Sequence, residues 1–260
     1  MKKRTSFPEE WWNPDRPLVI AHRGASLVAP PNTLTAFRAA LQCEADGVEL
    51  DVHLTSDGVP VVMHNATVDE TTDGHGCIDE MTLKDIKRLD AGRSFGETHV
   101  GEPVPTLREV LEDLGGQMLV NIELKGQRRG RNKALAAAVA QVVQETRTAS
   151  HVWVSSFQPY LLHAFSRFAP GIPRGLLYSP MSLGLPWLVP FTPFEALHPH
   201  FSLVQAWSVR LAHRLGLRIA AWTVDRPALI QRMARLGVDA IITNDPIGAL
   251  RLLHGTQHEG

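Results

Sequence analysis

The sequence predicts an α/β fold, a distorted (β/α)8 TIM barrel with a small insertion after the third strand-like segment. Short apolar runs alternate with longer amphipathic stretches from Leu18 onwards, which favours parallel strands connected by helices. Polar residues stand where several apolar runs end, as expected when active-site groups gather at one mouth of a barrel. No linker or change of composition interrupts the 260 residues. We therefore expect one domain, 1–260, with the insertion at about 66–105.

The individual elements follow from this alternation. Apolar runs of strand length lie at Leu18–His22, Gly47–Val52, Val59–His64, Leu119–Leu124, Val152–Ser155, Gly175–Tyr178, roughly His200–Val204, Ile219–Val224 and Ala240–Thr243. Helices are predicted at Thr33–Cys43, Leu107–Leu114, Lys133–Glu145, Tyr160–Phe168, Ala206–Leu215 and Pro227–Leu236. These nine strands are one more than a plain eight-stranded barrel needs.

The extra strand is explained by a hairpin. Gly47–Val52 and Val59–His64 are separated by a turn signal, Ser56-Asp57-Gly58, which leaves no room for a crossover helix. We therefore predict an antiparallel pair at this point of the chain. A turn centred on its aspartate and glycine places Asp51 opposite His64.

Composition and charge exclude several classes of protein. A net charge of -1 and a pI near 6.9 lack the basic excess of a nucleic-acid binder, so no nucleic-acid partner is expected. Cys43 and Cys77 are too few for a disulfide framework and indicate a reducing compartment. No apolar signal region follows the basic N-terminus, and no apolar run approaches the roughly 18 residues of a transmembrane helix. We expect a cytoplasmic protein without a transmembrane segment.

Three carboxylates on two predicted strands indicate a metal site. Glu49 and Asp51 are two residues apart, so they share one face of a strand whose other residues are apolar. Adjacent buried carboxylates repel each other, and a hard divalent cation removes that cost. Glu123 repeats the pattern and can complete the triad. The alternatives are a solvated edge strand for the first pair and a structural ion pair between Glu123 and Lys125.

Two histidines and two cations also stand at the polar ends of predicted strands. His22 and Arg23 end the first strand, and His64 ends the third. Two imidazoles across a phosphate can act as general base and general acid near neutral pH. Arg23 and Lys125 can neutralise phosphate charge, so the set matches phosphoryl-transfer chemistry. Each residue alone has a structural alternative, such as a capping histidine or a surface arginine.

Short motifs follow one another in a fixed order along nearly the whole chain. They are His22-Arg23-Gly24, Asn32-Thr33-Leu34, Glu49-Leu50-Asp51, Asp57–His64, Thr71–Gly74, Pro105–Leu107, Ile122–Lys125, Ser155–Phe157, Ala221–Val224 and Gly237–Pro246. In this order they resemble the glycerophosphodiester phosphodiesterase family. Each motif is short, but the ordered set is highly specific.

The resemblance implies a reaction and a role for each matched residue. Glycerophosphodiesters are hydrolysed to glycerol 3-phosphate and an alcohol through a cyclic phosphate, with one divalent cation, Mg²⁺ or Ca²⁺. The implied roles are acid/base catalysis by His22 and His64, phosphate contacts by Arg23 and Lys125, metal binding by Glu49, Asp51 and Glu123, and pocket-wall positions for Phe157 and Trp222. Aromatic core filling is an equally good account of the last two.

Two positions depart from the family pattern. Pro31 stands where the family usually has a glutamate, so one carboxylate is missing from the site. Asn65 replaces the aspartate that usually follows the second histidine; it can accept a hydrogen bond but supplies no charge. These changes motivate one alternative function, a catalytically impaired barrel that binds phosphodiesters.

An apolar, proline-rich segment at 179–194 motivates a second alternative. It follows a predicted strand, so it can form a lid or a peripheral lipid contact, which favours a lysophospholipase D-type enzyme. The competing interpretation is a loop packed on the barrel or at a dimer interface. The sequence favours no particular oligomeric state.

Overall fold

The computed structural model describes residues 7–13, 15–181 and 194–255. The strands are β1 (Leu18–His22), β2 (Gly47–Leu54), β3 (Pro60–Val62), β4 (Leu119–Leu124), β5 (Val152–Ser156), β6 (Arg174–Tyr178), β7 (Ala196–Pro199), β8 (Arg218–Ala221) and β9 (Ala240–Thr243). The helices are α1 (Leu34–Gln42), α2 (Leu83–Ile86), α3 (Leu107–Leu114), α4 (Asn132–Glu145), α5 (Pro159–Phe168), α6 (Ala206–Arg214), α7 (Pro227–Leu236) and α8 (Pro246–Gly255).

The predicted barrel is confirmed. Eight parallel strands pair in the order β1, β2, β4, β5, β6, β7, β8 and β9, and β9 closes the barrel by pairing with β1. The ninth strand, β3, lies outside this circle and runs antiparallel to the end of β2. It occupies the edge of β2 that is left open where β1 has ended.

The register of the β2–β3 hairpin differs by one residue from the prediction. Val52 pairs with Val62, and the backbone N–H of Met63 donates to the carbonyl of Asp51 at 2.9 Å. Asp51 therefore lies opposite Met63 and not opposite His64. The reason is the turn, which holds three residues instead of two. The backbone N–H of Thr55 donates to the carbonyl of Val59, and the N–H of Val59 donates to the hydroxyl of Thr55.

The position of β7 along the chain also differs from the prediction. The sequence predicts a strand at roughly His200–Val204, but β7 ends at Pro199 and a 3-10 turn follows at Phe201–Leu203. The start of β7 is fixed by Glu195, whose carboxylate accepts hydrogen bonds from the backbone and guanidinium of Arg174 on β6. The apolar run that suggested a strand instead contributes Val204 to the packing between barrel and helices.

Strand alternation separates an outer apolar layer from the barrel interior. On β2, Val48, Leu50 and Val52 pack against the surrounding helices, so Glu49 and Asp51 face inwards. Near the first residues of the strands the barrel interior is apolar and contains residues such as Ile20 and Trp153. The N-terminal segment closes this end, where the ring of Phe7 meets the rings of Trp11, Trp12 and Trp153 edge to face. Polar groups are thereby concentrated at the other end of the barrel.

The insertion folds beside β3 at the polar mouth. It contains two 3-10 turns, Ile78–Glu80 and Glu97–His99, in addition to α2. Its buried residues Val68, Ile78, Ile86, Ala91 and Val104 form a small cluster that is completed by Val61 and Met63 of the hairpin. The insertion thus shares its core with the barrel edge.

The C-terminal helix α8 was not predicted from the sequence. Its start has a recognisable signal, because Asp245 accepts a hydrogen bond from the backbone N–H of Gly248 at 2.8 Å and Pro246 occupies the first helical position. Most of the apolar segment 179–194 lies outside the described residues, which resume at Phe194. No helix within the described ranges has the length and apolar character needed to cross a bilayer.

Replacement of Gly24 by alanine is expected to destabilise the fold by about 3 kcal/mol, through a left-handed backbone and a steric clash. Gly24 has φ +83°, and a Cβ at this position lies 2.6 Å from the backbone carbon of Ala36. Gly58 is the matched control, with φ +86° and open space around it, so Gly58→Ala should cost only about 1 kcal/mol. Urea unfolding measures both values; equal losses would contradict the role of the close contact with α1.

Candidate active site

Adjacent strands bring the three predicted metal ligands together. Glu49 and Asp51 lie on β2, and the parallel register places Asp51 beside Glu123 of β4. One oxygen from each of the three carboxylates lies within 4.8 Å of the others. All three side chains are buried, and Asp51 is only 1% exposed. The sequence prediction that these residues converge is therefore consistent with the geometry.

Asp51 is the electrostatic centre of this group. Its Oδ1 lies 2.9 Å from Nζ of Lys125, its Oδ2 lies 3.2 Å from Nε of Arg23, and the Asn32 amide donates to it at 2.9 Å. Burial by itself favours the neutral acid, but Lys125 and Arg23 hold the pKa of Asp51 well below its usual range. Lys125 also contacts Glu123 at 2.7 Å, and these two carboxylates raise its pKa despite burial.

Glu49 is the carboxylate that these cations leave least compensated. Its Oε2 accepts a backbone hydrogen bond from Arg23 at 3.2 Å and lies 3.9 Å from Nε2 of His22. Burial and the neighbouring carboxylates of Asp51 and Glu123 raise its pKa well above the usual value. Three carboxylates thus face two side-chain cations, so one negative charge remains to be balanced when all three are ionised.

This cluster fits a hard divalent cation. Carboxylate oxygens are the ligands that Mg²⁺ and Ca²⁺ prefer, and the uncompensated charge has the sign that a cation removes. Asn121 lies beside Glu49 in the β2–β4 ladder, and both polar atoms of its buried amide have no hydrogen-bond partner among the described residues. A buried amide of this kind requires a partner such as water or an ion. The residues that could hold the metal are Glu49, Asp51 and Glu123.

His22 is held in one orientation by a chain of hydrogen bonds. Its Nδ1 lies 2.7 Å from Oδ1 of Asn244, and Nδ2 of Asn244 donates to Asp225 at 2.8 Å. A carboxylate accepts only, so the NH₂ group of Asn244 must face Asp225 and its oxygen must face the imidazole. Nδ1 of His22 therefore carries the proton, and Nε2 is the nitrogen available for proton transfer. Burial, followed by the adjacent Arg23, lowers the pKa of His22 to about 4.

His64 is held by a parallel arrangement. Its Nδ1 lies 2.6 Å from Oδ1 of Asn65, and Nδ2 of Asn65 donates to Glu70 at 2.5 Å. The same argument puts the proton on Nδ1 and leaves Nε2 as the acceptor. Burial, followed by the charge of Lys125, lowers the pKa of His64. Asn65 thus accepts the hydrogen bond that the sequence analysis anticipated for it.

A cavity of about 180 Å³ joins these groups. Its lining contains eight of the nine residues singled out from the sequence: His22, Arg23, Glu49, His64, Glu123, Lys125, Phe157 and Trp222. The ninth, Asp51, is buried beside it. Phe157 and Trp222 meet edge to face at 5.4 Å, and Nε1 of Trp222 donates to the carbonyl of His198 at 2.7 Å. The two aromatic residues therefore form one fixed part of the cavity wall.

The proline at position 31 does not dismantle the first loop. The backbone N–H of Asn32 still donates to the carbonyl of Arg23 at 2.9 Å, and the Asn32 side chain still reaches Asp51. Pro31 lines a small cavity next to Arg23 and His64. Arg23 still has a carboxylate partner, because its Nε lies 3.2 Å from Oδ2 of Asp51.

Three site residues were missed or given no role in the sequence analysis. Asn244 belongs to a motif that was recognised, but its contact with His22 joins residues 222 positions apart. Asp225 and Glu70 were not singled out, because neither carries a signal that distinguishes it from an ordinary surface acid. Only the fold reveals that each lies behind an asparagine that contacts a histidine.

A parallel barrel with carboxylates, histidines and cations at one mouth is the arrangement expected of a phosphoryl-transfer enzyme. Comparison with known proteins identifies the family. The model of the glycerophosphoryl diester phosphodiesterase family matches residues 22–247. A glycerophosphodiester phosphodiesterase from Caldanaerobacter subterraneus subsp. tengcongensis is 43% identical over 242 residues, which cover 91% of this chain and 97% of that protein.

Solved structures agree with this match. A phosphodiesterase from Oleispira antarctica, in complex with the product sn-glycerol-3-phosphate, superposes with a TM-score of 0.84 at 31% identity over 92% of this chain and 97% of that one. A glycerophosphodiester phosphodiesterase from Agrobacterium tumefaciens gives 0.79 at 30% identity, over 92% and 99% of the two chains. The chain therefore belongs to the glycerophosphoryl diester phosphodiesterase family and is an enzyme of that class.

Replacement of Asp225 by alanine should lower kcat for glycerophosphodiester hydrolysis about tenfold with little change in KM. Asn244 can then turn its NH₂ group towards Nδ1 of His22, which favours the tautomer whose Nε2 cannot accept a proton. Steady-state kinetics measure both constants, and thermal unfolding monitors the backbone contacts that Asp225 also makes. Glu112→Gln is the control, since it removes only an exposed ion pair with Arg108. An unchanged kcat for the Asp225 variant would show that Asn244 needs no such partner.

Proposed function

We propose that this enzyme hydrolyses glycerophosphodiesters to glycerol 3-phosphate and an alcohol, with two histidines as acid and base and one divalent cation, Mg²⁺ or Ca²⁺. The observation that supports it best is the position of His22 and His64 in one cavity with the carboxylate cluster. The Oleispira antarctica structure with bound sn-glycerol-3-phosphate supports the choice of product.

The reaction proceeds in two steps. In the first, one histidine removes the proton from the glycerol hydroxyl next to the phosphate, and this oxygen attacks phosphorus. The other histidine protonates the alcohol oxygen as its P–O bond breaks, which leaves a cyclic phosphate. In the second step the histidines exchange roles: water loses a proton, attacks the cyclic phosphate, and the ring P–O bond opens to glycerol 3-phosphate. In each step the ring that acts as the base needs an unprotonated Nε2. The contacts of Nδ1 with Asn244 and Asn65 favour this state because they hold the proton on Nδ1.

Charge neutralisation is the second contribution of the site. Glu49, Asp51 and Glu123 would hold the divalent cation, which would supply Lewis-acid stabilisation of the negative charge on the phosphoryl group. Arg23 and Lys125 lie on the same cavity and present positive charge to the phosphate. Because both already contact Asp51, they are fixed before substrate arrives and lose little freedom when it binds.

Release of glycerol 3-phosphate from glycerophosphocholine and glycerophosphoethanolamine should require Mg²⁺ or Ca²⁺ and stop with EDTA. His22→Ala and His64→Ala should each lower kcat by about 10² to 10⁴, the usual contribution of a general acid or base. Coupled detection of glycerol 3-phosphate measures the rate. Calorimetric titration of the metal into Glu49→Gln and Glu123→Gln tests the ligands without relying on activity. Full turnover in EDTA after exhaustive metal removal would refute the metal dependence.

A change of leaving group should distinguish the two histidines. A glycerophosphodiester of p-nitrophenol releases a phenolate that needs no proton, so the alanine variant of the first-step acid should regain most of its rate of nitrophenolate release, although hydrolysis of the cyclic phosphate stays slow. The alanine variant of the base should stay impaired on both substrates, because its step is unchanged. If both variants remain equally impaired on the nitrophenyl ester, the division of roles between the histidines is wrong.

Two alternatives are tested by the same assays. Turnover of lysophosphatidylcholine in preference to glycerophosphocholine would favour the lysophospholipase D-type enzyme, and polar substitution of Leu185, Trp187 and Leu188 should then affect the lysolipid alone. Those three residues lie outside the described ranges. Binding of glycerophosphodiesters without turnover would favour the impaired barrel. The contact between Arg23 and Asp51 argues against impairment, because Arg23 keeps a carboxylate partner although position 31 supplies none.

A further inference from the structure

We propose that Glu70 is a positioning residue that fixes the tautomer of His64 by orienting the side-chain amide of Asn65. The inference rests on the proposed function insofar as it assigns a proton-transfer role to His64. It adds a residue from the insertion to the machinery of the barrel mouth. The contacts that carry it are the 2.6 Å contact of His64 Nδ1 with Asn65 and the 2.5 Å hydrogen bond from Asn65 to Glu70.

An asparagine beside a catalytic imidazole has an ambiguity that an aspartate lacks. The oxygen and the NH₂ group of the amide are similar in size, so the side chain can turn over and present either one. With its oxygen towards Nδ1, Asn65 stabilises the tautomer whose Nε2 accepts a proton. With its NH₂ group towards Nδ1, it stabilises the opposite tautomer, in which Nε2 is already protonated. The orientation of Asn65 therefore determines whether His64 can act as a base.

Glu70 removes this ambiguity. Its carboxylate has only acceptor atoms, so it binds the NH₂ group of Asn65 and directs the amide oxygen to His64. The carboxylate also places a negative charge one residue behind the imidazole, where Asn65 itself supplies none. His22 shows the same design independently, with Asn244 in contact with the ring and Asp225 behind it.

The insertion holds Glu70 in place through its small core. Val68, two residues earlier, is completely buried in the cluster shared with the hairpin. Its N–H donates to the carbonyl of Gly76 at 3.0 Å, and its carbonyl accepts from both the N–H and the hydroxyl of Thr72. Glu70 thus lies on a turn that is fixed on both sides, although its own side chain is exposed.

The test compares Glu70→Ala in two backgrounds, the natural Asn65 and the variant Asn65→Asp. Both oxygens of an aspartate accept, so residue 65 needs no orienting partner once it is a carboxylate. Glu70→Ala should lower kcat about fivefold without changing KM when residue 65 is asparagine, the effect of one hydrogen bond. It should not lower kcat when residue 65 is aspartate, because the loss of Glu70 then removes only a repulsion between two carboxylates, which gives a non-additive double-mutant cycle. Glu97→Gln, an exposed glutamate of the same insertion, is the control.

The tautomer is read directly from ¹⁵N-detected proton correlation spectra of histidine-labelled full-length protein. The chain has 12 histidines, so the His64 signals are assigned by their loss in His64→Gln. In the unmodified protein His64 should carry the proton on Nδ1. Glu70→Ala should give a mixture of the two tautomers, and adding Asn65→Asp should restore the single Nδ1-protonated form. An unchanged tautomer in Glu70→Ala, or equal losses of kcat in both backgrounds, would overturn the proposal. If His64→Gln keeps full turnover, the proposed catalytic role fails, but the spectra still decide whether Glu70 sets the tautomer.

Discussion

The polar mouth of the barrel depends on the charge balance around Asp51. This carboxylate is almost completely buried, and it stays ionised because Arg23 and Lys125 contact it from two sides. An ionised group in that position would be very unfavourable without such partners. The same two cations are thereby fixed at the cavity wall. Asp51 therefore helps to position the loop after β1 and the end of β4. Glu49 remains the carboxylate whose negative charge is least balanced by these cations.

Each of the two histidines is oriented by hydrogen-bond partners that lie in loops. The strands place His22 and His64 at the barrel mouth, but the partners of their Nδ1 atoms are Asn244, in the loop after β9, and Asn65, just before the insertion. In both cases an asparagine lies between the ring and a carboxylate. This repetition indicates that the site controls the protonated nitrogen of each ring, which matters because a base and an acid must both act through Nε2 in the proposed reaction.

The departures from the family pattern have local compensations. Proline at position 31 removes a carboxylate, yet Arg23 retains one in Asp51, and Asn32 keeps its contacts to the same residue. Asparagine at position 65 removes another, yet Glu70 lies directly behind it. Arg23 and Asn65 therefore each contact a carboxylate although two of the usual acidic residues are absent. A hairpin strand outside the barrel and an insertion with a shared core supply part of this support.

The sequence by itself determined the barrel, the hairpin and the nine candidate residues, because strand alternation and motif order are local properties of the chain. It misplaced β7, since an apolar run looks the same whether it enters a ladder or packs outside it. It also misjudged the hairpin register by one residue, because hydrogen bonds between Thr55 and Val59 decide the length of the turn. Only the tertiary structure decided which acids support the histidines. Asp225 and Glu70 are exposed residues without a local pattern, and their roles arise from contacts that folding creates.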